Sequence, residues 1–252
     1  MATIFLLSLI QGITEFLPIS SSSHLIIISE YLDFKKNNLL IDVSLHIGSF
    51  LAVTTYFYKD IFKFIKNKFL FLKIIIGSIP IMITGFILVE TKLIYNLRSV
   101  EIIGWTTIFF GILLYLSDKC KIDSSIDKNL NYKNIIYIGL MQVLSLIPGV
   151  SRSGIAITAA RFLKFSRKDS LKISFLLSIP ILGAISIFGL SNVAAENELE
   201  LLQLSLISVL LSFLFSFVTI KLFFYYIQKF NLTIFVIYRI ILGTFLVGIA
   251  YL

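Results

Sequence analysis

QGITEFLPISSSSHL, residues 11–25, is a polar interruption in an apolar chain. Residues 2–10 before it carry no charge, and it runs on into LIII at 25–28. Inside it stand a glutamate, a histidine, a proline and four consecutive serines. Ionisable groups at membrane depth are costly and mark function there by default. The meaning of the stretch therefore depends on whether it lies in lipid.

Composition says that it does. Of 252 residues, 58% are hydrophobic and 14% charged. A soluble domain has roughly a quarter of its residues charged. The apolar runs have helical length, whereas a transmembrane barrel would alternate in segments of about ten residues. The chain reads as an all-α integral membrane protein forming one membrane domain, 1–252. A single cysteine, Cys120, excludes an internal disulfide and a cysteine metal cluster. No basic region precedes the first apolar stretch, so no cleavable signal is expected.

Six segments are long enough to cross: 39–58, 71–89, 102–117, 173–191, 203–228 and 232–251. Two more, 2–32 and 135–165, are apolar but broken by polar clusters with Pro or Gly. The net charge of +8 reflects sidedness rather than a nucleic-acid partner. Lys59, Lys63, Lys66, Lys68 and Lys73, the lysines of 118–134, the Arg and Lys residues of 161–172, and Lys221 and Lys229 fall on one side. Lys35, Lys36, Lys92 and Arg98 fall on the other. By the positive-inside rule the richer side is cytoplasmic. Six crossings then alternate, both termini lie outside, and the two broken segments become re-entrant hairpins. Such hairpins persist only where protein or a water-filled cavity surrounds them.

The broken segments match at an offset of 131. LIQGITEFLPISSSS (9–23) lies over LMQVLSLIPGVSRSG (140–154): Gln11 on Gln142, Thr14 on Ser145, Ser20 on Ser151 and Ser22 on Ser153. Three crossings separate the copies, so they run in opposite senses. This is an inverted-topology repeat, approximately 1–117 and 132–252. Repeats of this kind place their site near the midplane where broken helices meet. Glu15, His24 and Arg152 are expected to converge there.

Arg152 between Ser151 and Ser153, after Pro148 and Gly149, reads as an anion cradle. A guanidinium fork suits phosphate, and a helix start offers free N–H groups. Ser21 and His24, at i and i+3, share a helix face, which suits a serine nucleophile with a histidine base or a histidine nucleophile beside a serine. Gln11 and Glu15 share a face at i and i+4, and a carboxylate there holds a divalent ion or takes a proton. His46 lines the cavity or is a core histidine. Arg239, midway along the last span, has no evident side-chain partner. These residues point to phosphoryl chemistry on a lipid-linked phosphate, or to transport of a small anion.

QGITEFLPISSSSH, LHIGSFLAV, LIPGVSRSG, FSFLLSIPILGA and YRIILG together resemble the undecaprenyl-diphosphate phosphatase family, also called the bacitracin-resistance family. The likeness runs from about residue 7 to the C-terminus. It implies hydrolysis of undecaprenyl diphosphate to undecaprenyl phosphate and inorganic phosphate, recycling the carrier for peptidoglycan synthesis in a bacterial inner membrane. It also implies six transmembrane helices with two re-entrant pairs, a site open to the outer face, and a divalent cation, Mg²⁺ or Ca²⁺. Carried over by position, the resemblance assigns catalysis to Ser21, His24 and Glu15. It gives phosphate binding to Arg152, Ser151 and Ser153, with Gly149, Ser20 and Ser22 beside them, and metal binding to Glu15 and Gln11. The sequence departs in having Gln11 rather than an acid, and Ser22-Ser23 where the family has Thr-Gly or Ser-Gly. A polyprenyl diphosphate and membrane lipid are the expected partners, with a homodimer as a further expectation. The rival reading is a transporter or scramblase of the lipid carrier or of a small anion.

Overall fold

The computed structural model describes residues 1–21, 23–25, 38–66, 68–193 and 199–251. Among them the regular structure is helical, apart from one isolated bridge between Ser124 and Phe165. The helices are α1 (Ala2–Thr14), α2 (Asn38–Tyr56), α3 (Tyr58–Lys66), α4 (Lys68–Glu90), α5 (Val100–Asp118), α6 (Ile126–Asn129), α7 (Tyr132–Val143), α8 (Arg152–Phe162), α9 (Arg167–Val193), α10 (Leu199–Lys229) and α11 (Thr233–Ala250). Two short 3₁₀ turns, Leu93–Leu97 and Leu144–Leu146, complete the set.

Five of these, α4, α5, α9, α10 and α11, are long and apolar enough to cross a membrane. The chain is thus a multi-pass helical membrane protein. The sixth expected span, 39–58, falls on α2, and the chain turns at Phe57 into α3. Its 19 residues at 1.5 Å each make about 28 Å, against a hydrocarbon core of about 30 Å.

The two broken segments form helix–turn–helix units. α1 ends at Thr14, the chain turns through 15–19, and helix resumes beyond Ser20; residues 22 and 26–32 of this segment lie outside the described residues. α7 passes through the second 3₁₀ turn into Ile147–Ser151, and α8 starts at Arg152. α1, α7 and α8 are each 11–13 residues long, roughly 20 Å or less, too short to cross.

Packing holds the two turns together. α8 carries small and apolar residues on every side and is buried from Ser153 to Arg161. It packs against α5, α7 and α9, while α1 and α2 pack against α10. Phe16, just after α1, sits edge-on to Phe175 of α9 (ring centroids 5.1 Å), and Phe175 meets Phe57 and Phe224 in turn. Aromatic contacts of this geometry add to the burial of the rings. At the far ends, Arg167 clasps Asp118 with two hydrogen bonds of 2.6 and 3.0 Å. Arg161 donates to the carbonyls of Asp118, Cys120 and Phe165.

Between α2 and α10 the contact is close and polar. Ser49 and Ser216 are hydrogen-bonded at 3.0 Å, and Ser212 donates to the Leu45 carbonyl at 2.7 Å. Lipid supplies little driving force between helices, so small residues and interhelical hydrogen bonds carry the association. A Cβ on Gly48 would lie 2.5 Å from the Val209 carbonyl oxygen. Gly48→Val should therefore push α2 off α10 and cost roughly 1–3 kcal/mol. The check is a lowered melting temperature in detergent; an unchanged one would contradict the packing.

Candidate active site

Gln11 and Glu15 lie one turn apart at the end of α1, and Gln11 Nε2 donates to Glu15 Oε2 at 3.1 Å. The chain then turns back, so Ser21, six residues on, also donates to Glu15 Oε2, at 2.7 Å. The other carboxylate oxygen, Oε1, receives Arg152 Nη2 at 2.6 Å. Glu15 thus joins the two helix–turn–helix units. Ser153 makes a second tie, donating to the Leu17 carbonyl at 2.9 Å.

Each unit turns on a serine with a left-handed backbone: Ser20 at φ 72° and Ser151 at φ 70°. Non-glycine residues hold this conformation only where the surroundings impose it, and such strain gathers at functional sites. Ser151 caps α8, its Oγ accepting from Gly154 N at 3.2 Å, and it contacts Ser153 Oγ at 3.2 Å. Gly149 also has a positive φ, 94°, and a Cβ there would fall 2.0 Å from Thr106 Oγ1.

A cavity of about 490 Å³ opens on this constellation. Its polar end holds Thr14, Glu15, Ser20, Ser21, His46, Ser145, Ser151 and Arg152. The rest is apolar: Ile81, Met82, Phe86 and Val89 of α4, and Ile181, Ile185 and Phe188 of α9. Both helices contain a proline one residue before this lining begins, Pro80 and Pro180. Proline removes a backbone hydrogen bond and kinks a helix. Met82, Phe86, Ile185 and Phe188 of this lining are exposed, and Phe86 and Phe188 meet edge to face across α4 and α9, ring centroids 6.3 Å apart.

Within the polar end, Arg152 Nη1 is buried and has no hydrogen-bond partner. One arm of the guanidinium is engaged by Glu15, and the other is an unsatisfied donor beside a cavity lined with hydroxyls. A buried donor left unpaired costs about 1–3 kcal/mol, and a turn of the Arg152 side chain into the cavity it lines would bring this donor to an anion there.

Ser20, Ser21, Ser151, Arg152 and Glu15 therefore meet on one cavity, as their spacing suggests. Gly149 and Ser153 stand behind it, shaping the turn. Ser22 lies outside the described residues. His24 is placed differently from the expectation of a Ser21–His24 pair. Its Nδ1 donates to the Ser20 carbonyl at 2.7 Å, and its Nε2 accepts from Tyr238 Oη, with the two rings stacked 5.8 Å apart. The carbonyl one turn back and a ring from α11 take up the imidazole, and the carboxylate takes up the serine.

His46, left open by the sequence, lines the cavity, with its Nδ1 3.2 Å from Gln11 Nε2. The amide can only donate, so Nδ1 accepts and the ring proton sits on Nε2. Thr14 and Ser145, aligned at the 131-residue offset, also line the cavity; a Thr–Ser match alone does not mark a site. Tyr238 lies in the YRIILG motif, but nothing in its spacing points to His24.

The donor set also bears on a divalent cation. Among the described residues no group of three or more His, Cys, Asp or Glu side chains gathers to hold a metal. What is present is one carboxylate, Glu15, and one buried acceptor without a partner, Gln11 Oε1. That set does not make a protein cage. It fits a magnesium ion held by one or two protein oxygens and by substrate phosphates, which is how this ion is commonly bound.

The family described as bacitracin resistance protein BacA matches residues 4–245. The undecaprenyl-diphosphatase of Pelagibacter ubique (strain HTCC1062) is 53% identical over 249 residues, covering 98% of this chain and 97% of that protein. The undecaprenyl-diphosphatases of Jannaschia sp. (strain CCS1) and Campylobacter curvus (strain 525.92) are each 39% identical, and cover 99% and 98% of this chain.

Proposed function

The chain belongs to the bacitracin resistance protein BacA family, and we infer that it hydrolyses undecaprenyl diphosphate to undecaprenyl phosphate and inorganic phosphate. Recycling of the lipid carrier for envelope synthesis, and resistance to bacitracin, follow from that activity. The observation that carries the reading at the level of the site is the unpartnered Nη1 of Arg152 at the polar end of an otherwise apolar cavity. A prenyl diphosphate has the same division into an anionic head and an apolar tail.

In this reading the terminal phosphate binds Arg152, the hydroxyls of Ser151 and Ser20, and first-turn N–H groups of α8. Preorganised donors of this kind stabilise charge developing in the transition state. As Arg152 turns to the phosphate, Glu15 loses part of its counter-charge while keeping Ser21 at hydrogen-bond distance. Ser21 Oγ attacks the terminal phosphorus and its proton passes to Glu15. The bridging P–O bond breaks and undecaprenyl phosphate leaves. Water then attacks the phosphoserine, freeing inorganic phosphate and restoring the serine. His24 fixes the Ser20 carbonyl and so the start of the helix that carries Ser21. Gln11 orients the carboxylate. A magnesium ion, when bound, would be held by Glu15 and Gln11 Oε1 and would supply positive charge to the phosphoryl oxygens.

For topology we propose six crossings, α2 being the sixth, with two re-entrant units and both termini outside the cytoplasmic membrane. The inverted repeat is supported by Ser20 and Ser151, which share a left-handed backbone at the same 131-residue offset. An outward-facing site is supported by the cavity lining. It runs along α4 from Ile81 to Val89 and on to Ile94, and along α9 from Ile181 to Phe188. Both paths lead away from the lysine-rich ends of those helices.

The test is phosphate release from farnesyl or undecaprenyl diphosphate by the purified protein in detergent, with Mg²⁺ and with EDTA. Release that depends on the cation is expected. No release from well-folded protein, with lipid flux across sealed vesicles instead, would replace the hydrolase with the transporter.

A further inference from the structure

Arg239 is a further charge inside the bundle. It sits on α11, fully buried. Among the described residues no carboxylate pairs with it. Its guanidinium donates only to main-chain carbonyls: Nε to Thr107 at 3.2 Å, Nη1 to Pro18 at 3.2 Å and to Val150 at 3.1 Å, and Nη2 to Gly149 at 2.8 Å. Removing a charged group from water costs several kcal/mol, and fixed dipoles offset that only with good geometry. A cation kept there at such cost calls for a use.

The acceptors indicate what that use is. Pro18 lies two residues before Ser20, and Gly149 lies two residues before Ser151. These carbonyls occupy the same place in the two turns, 131 residues apart, and one guanidinium joins them. The Val150 carbonyl, immediately before Ser151, takes a third bond. Resting on the phosphatase reading above, we propose that Arg239 is a positioning residue for the reaction. It clamps the two turns in mutual register and holds Ser20 and Ser151 in their left-handed conformations, so that Ser21 and Arg152, each the next residue along, face one phosphate. It does not itself line the cavity and acts through the turns.

The clamp depends on a fork as well as on charge. A lysine keeps the charge but concentrates its donors at one point, so it cannot span both turns in this way. Gly111 of α5 gives an independent handle: a Cβ there would lie 3.2 Å from Arg239 Cβ and 3.5 Å from Nε. Gly111→Ala therefore displaces the arginine without altering any group that touches the phosphate.

The experiment compares wild type, Arg239→Lys and Gly111→Ala as full-length protein in detergent. It reads kcat and KM for farnesyl diphosphate together with amide hydrogen exchange. For Arg239→Lys, kcat should fall about 10²-fold with KM changed less than about threefold, the signature of misplaced groups rather than a lost substrate contact. Exchange should rise in both the peptide containing Pro18 and the peptide containing Gly149. Gly111→Ala should show the same pattern at smaller amplitude. Wild-type kcat in folded Arg239→Lys overturns the proposal, as does a fall in kcat matched by a rise in KM, or loosening of one turn alone. Should wild type release no phosphate, the phosphatase reading fails, while the exchange data still decide whether one arginine couples the two turns.

Discussion

Arg152→Lys lowers kcat/KM for a prenyl diphosphate by about 10³-fold, the upper end of what losing one preorganised donor costs. The expectation follows from how the guanidinium is used. Nη2 is committed to Glu15 Oε1 at 2.6 Å, and Nη1 is buried without a partner. An arginine can hold the carboxylate with one arm and present the other to phosphate. A lysine has a single ammonium, and Glu15 competes with the substrate for it. Adding Glu15→Gln to Arg152→Lys should cost much less than the sum of the two single changes, because residues acting as one unit are strongly non-additive. The measurement is phosphate release by purified variants that keep wild-type helicity. Turnover within about tenfold of wild type would remove Arg152 from the cradle, since one lost charged hydrogen bond at this position is worth more than that.

Much of the architecture was legible because lipid restricts it. Backbone groups in the membrane must be satisfied within helices, so apolar runs mark spans, and polar breaks such as 15–24 and 147–154 mark functional turns. The two turns were legible as counterparts as well: Ser20 and Ser151, matched at the 131-residue offset, both take a positive φ. Sequence was weaker where geometry depends on a few atoms. Nothing in the pattern of 39–58 shows the break at Phe57, where α2 gives way to α3. Ser21 and His24 share a helix face, but sharing a face does not choose a partner. The turn at 15–19 brings a carboxylate to the serine, and Tyr238, 214 residues from the histidine, takes the ring. Arg239 lacked a partner in the sequence for a physical reason: its acceptors are main-chain carbonyls. Every residue carries one, so no residue type betrays where four of them will converge. The apolar half of the cavity was invisible for a similar reason, because Ile81 and Phe188 read as ordinary lipid-facing residues until the packing of α4 and α9 brings them to one cavity.

Glu15→Gln should be the most damaging conservative change in the site, lowering kcat by at least about 10³-fold while KM moves little. Glutamine keeps the shape of the side chain and one acceptor, so Arg152 Nη2 still has an oxygen to bond. It loses the negative charge, and the atom toward Ser21 and Gln11 Nε2 becomes an amide nitrogen. Two donors then face a donor, and Ser21 has no group to take its proton. General-base assistance alone is worth about 10²–10⁴-fold, and disorder at Ser21 adds to that. KM should hold, because weakening the ion pair leaves Arg152 free for phosphate. That split separates Glu15 from Arg152, whose replacement strikes binding as well as turnover. It also separates a base from a mere tether. A tether would leave Ser21 competent, and rapid quenching of Glu15→Gln with labelled substrate would then trap phosphoserine at the wild-type rate. Such a signal, or a kcat within tenfold of wild type in folded protein, would transfer the proton-accepting role to another group facing the cavity, and His46, 3.2 Å from Gln11, would be the next to test.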